Sequence, residues 1–278
     1  DSTELFPDIV VFHPEIFISS TTLSGSANCH RKSVLQNRIV QPQVGPIPTD
    51  PDEITRAIAP IIGNCVHEAL QAATVANDFT PKFIREAGAR SLNELMLPAV
   101  WLSGASPQMV LTQLESRLCS MSSWGEKTWP KIASKLLGCE TDVKALGVSG
   151  KLDMDIEDIR GYRSCIEIKT GKQSSIHVGQ IVLYYLLQKK IEKSPVSDKM
   201  FLLYLPPAGP AETIEHVISA RECQNIMRNR NLLASHNTRG STLPPVVESR
   251  ECTFCPVREE CAILATNNQK APVYDYMN

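Results

Sequence analysis

Residues 147–172 read GVSGKLDMDIEDIRGYRSCIEIKTGK. The period is two. In the first half Leu152, Met154 and Ile156 alternate with Asp153 and Asp155, so a strand would carry apolar side chains on one face and carboxylates on the other. In the second half Ile166 and Ile168 alternate with Glu167 and Lys169. The intervening RGYRS reads as a short turn. The stretch predicts two consecutive strands. Pairing them as a hairpin would bring Asp153 and Glu167 together, with Lys169 alongside.

On either side the period changes to that of helices. TDPDEITRAIAPIIGNCVHEALQAATVAND (49–78) opens with Asp50 as N-cap, Pro51 at the first helical position and Asp52 and Glu53 in the first turn. Ile54, Ile58, Ile61, Ile62, Val66 and Leu70 then recur at helical spacing. Further helices are expected at about 82–97 and from Ser106 to about Leu137. Downstream, 176–193 reads as a helix, and MFLLYL (200–205) with ETIEHVI (212–218) as a hairpin. Ser219 and Glu222 have capping-box spacing for a last helix at about 220–236, which PPVVES (244–249) links to the final cysteines. This order predicts an α/β fold, a central mixed sheet flanked by helices.

The chain has 278 residues, 42% of them hydrophobic, enough for a large buried core. Its net charge of −2 and pI near 6.3 exclude a general polycation. Nucleic acid would have to be met by a local groove. The longest apolar run, IVLYYLL (181–187), is too short to span a bilayer. The opening DSTELF has neither Met nor an apolar leader and reads as the start of a fragment. No G-x-x-x-x-G-K-[ST] occurs, so no ATP-binding P-loop is expected.

Two convergent carboxylates beside an ammonium suit phosphodiester hydrolysis. The acids would hold Mg²⁺ or Mn²⁺ through hard oxygen ligands. The metal would polarise the phosphate and provide a hydroxide nucleophile. The lysine would orient the attacking water and neutralise developing charge. An exposed ion pair on an ordinary strand would look the same in isolation. The order of four elements is more telling: Gly63-x-x-x-His67, then Gly150-x-x-Asp153, then Glu167-x-Lys169, then Gln180-x-x-x-Tyr184 on one helix face.

Of nine scattered cysteines, only Cys252, Cys255 and Cys261 are closely grouped, as C-x2-C-x5-C in ECTFCPVREECA. Three thiolates call for a fourth ligand: Cys29, Cys223 or a histidine. Spacing alone makes zinc the default. Pro256 after Cys255 leans toward an iron–sulfur cluster. The other cysteines read as small core residues.

Together GNCVH, SGKLD, IEIKTGK and QIVLY resemble the RecB-type branch of the PD-(D/E)XK nucleases. The early cysteine and terminal C-x2-C-x5-C narrow the resemblance to its iron–sulfur members, which include a CRISPR-adaptation exonuclease and the AddB-type enzymes. SSTTLSGSANCHRKSVLQNRI (19–39), RECQNIMRNRNLLAS (221–235) and LPPVVESRECTFCPVREECAI (243–263) are most similar to the nuclease domain of the eukaryotic replication helicase–nuclease, the Dna-two family.

That resemblance implies a PD-(D/E)XK restriction-endonuclease-like core and one nuclease domain over 1–278. The catalytic core would span about 50–200. An iron–sulfur-stapled subdomain would be formed by about 20–40 and 245–265. It implies His67, Asp153, Glu167 and the carbonyl of Ile168 as metal ligands, with Glu140, or Asp142 as its rival, as a further acidic ligand. Lys169 would be the catalytic lysine, and Gln180 and Tyr184 would support the site and the DNA. Cys29, Cys252, Cys255 and Cys261 would hold a [4Fe–4S] cluster. Arg31, Lys32, Lys151, Lys172, Arg228 and Arg230 would line the DNA path, where Trp124, Trp129 or Tyr162 could stack on bases.

The implied activity is cleavage of single-stranded or flap DNA in replication and repair, within the nucleus or mitochondrion. The implied partners are a single-strand-binding protein and a helicase portion outside this chain. Two rival readings are a metal-stapled nucleic-acid-binding module without catalysis and a small redox protein. The binding module would have no use for two acids where phosphate must approach, and nothing else in the sequence suggests an electron partner.

Overall fold

The structure is a computed structural model that describes residues 9–39, 47–192, 194–238, 240–247, 252–253 and 255–266; the expected link at 244–249 lies partly outside them. A six-stranded mixed sheet runs through the centre. Its strands are β1 (Ile18–Ser19), β2 (Ala133–Ala145), β3 (Val148–Asp158), β4 (Arg163–Lys169), β5 (Lys199–Tyr204) and β6 (Glu212–Val217).

On one face lie α3 (Pro51–Ala76), α4 (Pro81–Ser91), a π-helical turn (Leu92–Met96), α5 (Leu97–Leu102), α6 (Pro107–Lys127) and α7 (Trp129–Ile132). Their apolar side chains join Met154, Ile156, Ile166, Ile168 and Leu203 in one core. On the other lie α1 (Ser20–Gly25), α2 (His30–Arg38), α8 (Ser175–Ile191) and α9 (Ala220–His236), packed with Cys165, Met200, Leu202 and Tyr204 in a second. The short α10 (Arg258–Thr266) completes that side. With a core on each face, β4 is buried along Ser164–Ile168, as expected of a strand with helices on both sides. Ile181–Leu187 of α8 is buried all round. Its apolar run is therefore a central helix, and among the described residues no helix is long and apolar enough to cross a membrane.

The local signals act as their chemistry predicts. The Asp50 carboxylate accepts from the Asp52 and Glu53 amides at the start of α3, Ser219 and Glu222 form the capping box of α9, and β5 and β6 pair antiparallel. Two expectations fail. The third helix does not reach Leu137: α6 stops at Lys127, α7 at Ile132, and Ala133–Ala145 is strand β2. Ile132 and Leu136 have helical spacing, but pairing along the whole of β3 imposes an extended chain. Nor does Leu152 share a core with Met154 and Ile156. It packs in the second cluster and they in the first, so the alternation breaks at Asp153.

The break coincides with an opening in the sheet. One side of β3 is occupied by β2 throughout. On the other, β1 pairs with Val148 and Ser149, and β4 with Met154–Glu157, leaving 150–153 between the two pairings. There the Ile168 amide donates to Asp153 Oδ2 at 2.7 Å. A side chain takes the place of a ladder acceptor, and a cleft of about 610 Å³ lies at this point.

Candidate metal centre and cysteine corner

Four elements converge on the cleft. From α3 come His67 and, one turn on, Gln71. Glu140 comes from β2, Asp153 from β3, Glu167 and Lys169 from β4. The β2–β3 register sets Glu140 opposite Asp153. Glu140 adopts φ 49°, a left-handed conformation that costs a side-chain-bearing residue about 1–3 kcal/mol. Its Oε1 accepts from Gln71 Nε2 at 2.8 Å, and Oε2 lies 3.5 Å from Lys151 Nζ. His67 Nδ1 lies 3.4 Å from Asp153 Oδ1. Among the described residues, ligand atoms of His67, Glu140 and Asp153 form the only set of three or more His, Cys, Asp or Glu atoms within 4.8 Å of one another. That set can hold a metal ion. Asp142, the rival acid, lines the cleft outside this set.

Glu167 is buried beside the set. Its Oε1 accepts from Lys169 Nζ at 2.6 Å, while the buried Oε2 has no hydrogen-bond partner. Burial, then the charge of Asp153, pushes the Glu167 carboxyl up to about 8; the Lys169 ammonium opposes the rise without cancelling it. Asp153 moves the other way. Burial would raise it, but His67, the Ile168 amide and Lys169 together hold it below the usual range. His67 is raised, because Asp153 outweighs the opposing effect of burial. One acid stays ionised and the other keeps its proton, the expected division for two close carboxylates without a cation.

The facing wall comes from α8 and α1. Gln180 and Tyr184 are buried and line the cleft with Ser20, Thr21 and Gly150. Ser20 Oγ donates to the Tyr184 hydroxyl at 3.4 Å. A Cβ on Gly150 would lie 2.8 Å from Tyr184 Cε1 and 3.0 Å from Ser20 Oγ, which gives the glycine of Gly150-x-x-Asp153 its reason. Two lining or supporting residues escaped the sequence reading. Gln71 had only its position one turn after His67 to betray it. His177 had its spacing of three from Gln180; its Nδ1 hydrogen-bonds the Tyr204 hydroxyl at 2.9 Å.

The expected basic path divides. Lys151 lines the cleft, and Lys172 is exposed outside its lining. Arg31 and Arg230 are corrections: both are fully buried and cannot border a DNA path. Arg230 donates to the carbonyls of Gly147, Phe12, His13 and Ile16 and to Asn231 Oδ1, tying the N-terminal segment to α9. Arg228 lies on α9 beside a different hollow, between that helix and Ile9–Phe12. Trp124 and Trp129 pack with Phe79 inside the first core rather than offering faces to bases. Tyr162 is exposed in the β3–β4 turn under Arg160.

On the α2 side, Cys29 is the N-cap of α2, its Sγ accepting from the Lys32 amide at 3.4 Å. Cys255 and Cys261 pack against the second core. The Cys255 amide donates to the Cys252 carbonyl, and Cys261 lies on α10. Arg31 joins the two parts: Nε donates to Cys261 Sγ at 3.2 Å and Nη1 to the Pro244 carbonyl at 2.8 Å.

Residues 2–158 match the family described as DNA replication factor Dna2. The chain is similar to the DNA replication ATP-dependent helicase/nuclease DNA2 of Mus musculus, 25% identical over 91% of this chain and 27% of the relative. It is 23% identical to the Homo sapiens protein of that name, over 91% of this chain and 27% of that one. With the Saccharomyces cerevisiae protein it shares 23% identity over 94% of this chain and 19% of that one. The chain thus spans about a quarter or less of the length of these relatives. A crystal structure of SSO0001 aligns with 74% of this chain and 92% of its own, at 14% identity and a TM-score of 0.28, too low to bear on the fold.

Proposed function

The chain belongs to the DNA replication factor Dna2 family, and from that membership and the cleft we propose that it is a divalent-metal-dependent DNA nuclease with a PD-(D/E)XK core. It would cut single-stranded or flap DNA in replication and repair, in the nucleus. One observation carries the reading. Buried Glu167 Oε2 has no partner, beside three ligand atoms already gathered within 4.8 Å. Without a cation the carboxyl avoids the cost of an unpaired buried charge by keeping its proton; a cation at Oε2 would let it ionise and act as a ligand. A binding module without catalysis gives no reason to keep such an oxygen.

His67, Glu140, Asp153, Glu167 and the Ile168 carbonyl would hold Mg²⁺ or Mn²⁺, which as hard ions suit this oxygen-rich set. A bound ion would stabilise the charge that builds on the phosphate and its leaving oxygen. The protein supplies the rest. The Ile168 amide and His67 fix the Asp153 carboxylate, and Gln71 fixes Glu140. Lys169 sits at the mouth of the site, partly exposed and tethered to Glu167. It orients the attacking water and neutralises charge on the phosphorane. Water adds to phosphorus, the P–O3′ bond breaks, and the ends are a 5′-phosphate and a 3′-hydroxyl. Gln180 and Tyr184 form the wall opposite. Preference for single strands would come from cleft width and stacking rather than base reading.

Cys29, Cys252, Cys255 and Cys261 would hold a [4Fe–4S] cluster that closes the domain across more than 200 residues of chain. One zinc ion would draw its four sulfurs to about 3.8 Å apart. Among the described residues no three of these sulfurs lie mutually within 4.8 Å.

The test is cleavage of labelled flap DNA with Mg²⁺ or Mn²⁺ beside Asp153→Ala and Glu167→Ala. Equal cutting by all three proteins removes these residues from catalysis. No cutting by the parent protein sinks the nuclease reading. Iron, sulfide and zinc assays on anaerobically purified protein decide the cysteine corner.

A further inference from the structure

Arg31 is 1% exposed, and its Nη2 has no hydrogen-bond partner among the described residues. No carboxylate of the described residues pairs with it. A guanidinium keeps its charge, and an uncompensated buried charge is strongly destabilising. Its place on the chain makes matters worse. Arg31 is the second residue of α2, where the helix's own partial positive charge repels a cation. Arg230 shows how this protein satisfies a buried arginine that serves packing alone. Each of its three nitrogens meets an oxygen. Arg31 has one carbonyl, one sulfur and one free nitrogen.

The missing partner is an acceptor on the Cys261 side, and an anionic one would also balance the buried charge. A neutral thiol is a weak acceptor, whereas a metal-bound thiolate accepts charge-assisted hydrogen bonds. Cys29 caps the same helix end, its Sγ accepting from the Lys32 amide. Arg31 and the helix end thus direct positive potential at one corner.

We propose that Arg31 is the buried counter-cation of the cysteine-held cluster. It positions Cys261 through Nε and offers Nη2 to the cluster's anionic sulfur, so that cluster retention and reduction potential depend on its charge. The proposal rests on the reading that the four cysteines bind a [4Fe–4S] cluster. A buried positive charge favours the more reduced, more negative state, so its removal lowers the potential.

The experiment compares the anaerobically purified full chain with Arg31→Gln and Arg31→Lys. The readouts are circular dichroism, iron and sulfide content, bleaching of visible absorbance by a chelator, and midpoint potential. Arg31→Gln is expected to lose iron roughly 10-fold faster or more, in line with other outer-shell partners of metal ligands, and to shift to lower potential. Arg31→Lys, which keeps the charge but not the fork, is expected to lie between the two. Arg31→Gln with parental release rate and potential overturns the proposal. So does Arg31→Lys falling as far as Arg31→Gln, or failure of both variants to fold, which would mark a packing residue. The cluster reading fails separately. If the parent protein holds zinc and no iron, that reading falls, and zinc release from the same variants still decides the role of Arg31. A parent protein without any metal overturns both.

Discussion

The carboxylate cleft and the cysteine corner are opposite in sign and alike in logic. Among the described residues, Glu167 Oε2 in the cleft and Arg31 Nη2 at the corner are both buried without a hydrogen-bond partner. On the proposed reading a cation would complete the first and an anion the second. They differ in how they are built. The cleft draws on α3, β2, β3 and β4, neighbours within one sheet-and-helix layer. The corner joins α2 to a segment more than 200 residues away, through Arg31 and through Leu243 and Val257 in the second core. The cleft is expected to keep its shape when the cysteines of the corner are substituted.

The largest expected effect is chemical. Asp153→Ala or Glu167→Ala should lower flap cleavage by roughly three orders of magnitude or more, with DNA affinity changed far less, as a gel-shift assay would report. Loss of affinity in proportion to activity would break the distinction between metal site and DNA-binding wall.

Cys261→Ser should come next. Iron should be lost and thermal melting should fall by several degrees, while the remaining folded protein keeps measurable Mn²⁺-dependent cleavage. Complete loss of activity with the fold intact would show that the two regions are not separable.

Gly150→Ala tests the wall. The added methyl group meets Tyr184 at 2.8 Å, an overpacking that should cost about 1–3 kcal/mol. Melting should drop and cleavage should weaken, by less than for either carboxylate. An unchanged melting temperature would mean that Tyr184 gives way freely.

The smallest effect is a pH slope in metal-free protein. With the Glu167 carboxyl raised to about 8, the folded state holds its proton more tightly than the unfolded chain does. The stability this contributes is complete below about pH 4.5 and is lost as pH rises through about 8. His67, also raised, acts in the same direction, and Asp153 does not titrate in this range. Melting in a chelator should fall between about pH 6 and pH 8.5, with a shallower fall in Glu167→Gln. Equal slopes in the two proteins would remove Glu167 as the source.

Much of the fold was legible because its signals are local. Caps at Asp50 and Ser219, alternation along β3 and β4, and the all-apolar run of α8 each depend on residues a few positions apart. Strand β2 was not legible. Its apolar spacing suits a helix, and only β3 supplies the hydrogen-bond partners that make it extended. Arginine at positions 31 and 230 reads as a solvated cation, because burial of a charge depends on partners drawn from more than 200 residues away. Gln71 and His177 were missed for the same reason: what marks them is Glu140 and Tyr204, residues on other elements.

The sequence by itself determined the order of elements, the period of each, and a set of acids, a lysine and thiols whose spacing suits metal chemistry. Tertiary structure alone decided where those groups meet. A gap between two strand pairings on β3 opens the cleft, Asp153 replaces a backbone acceptor, and Glu140 bends into the left-handed region opposite it. It also decided which charges are exposed to solvent and which are buried and unpaired. The physical reason is desolvation: a carboxylate or guanidinium costs little in water and several kcal/mol in a core, so its meaning depends on surroundings that no local stretch of sequence specifies.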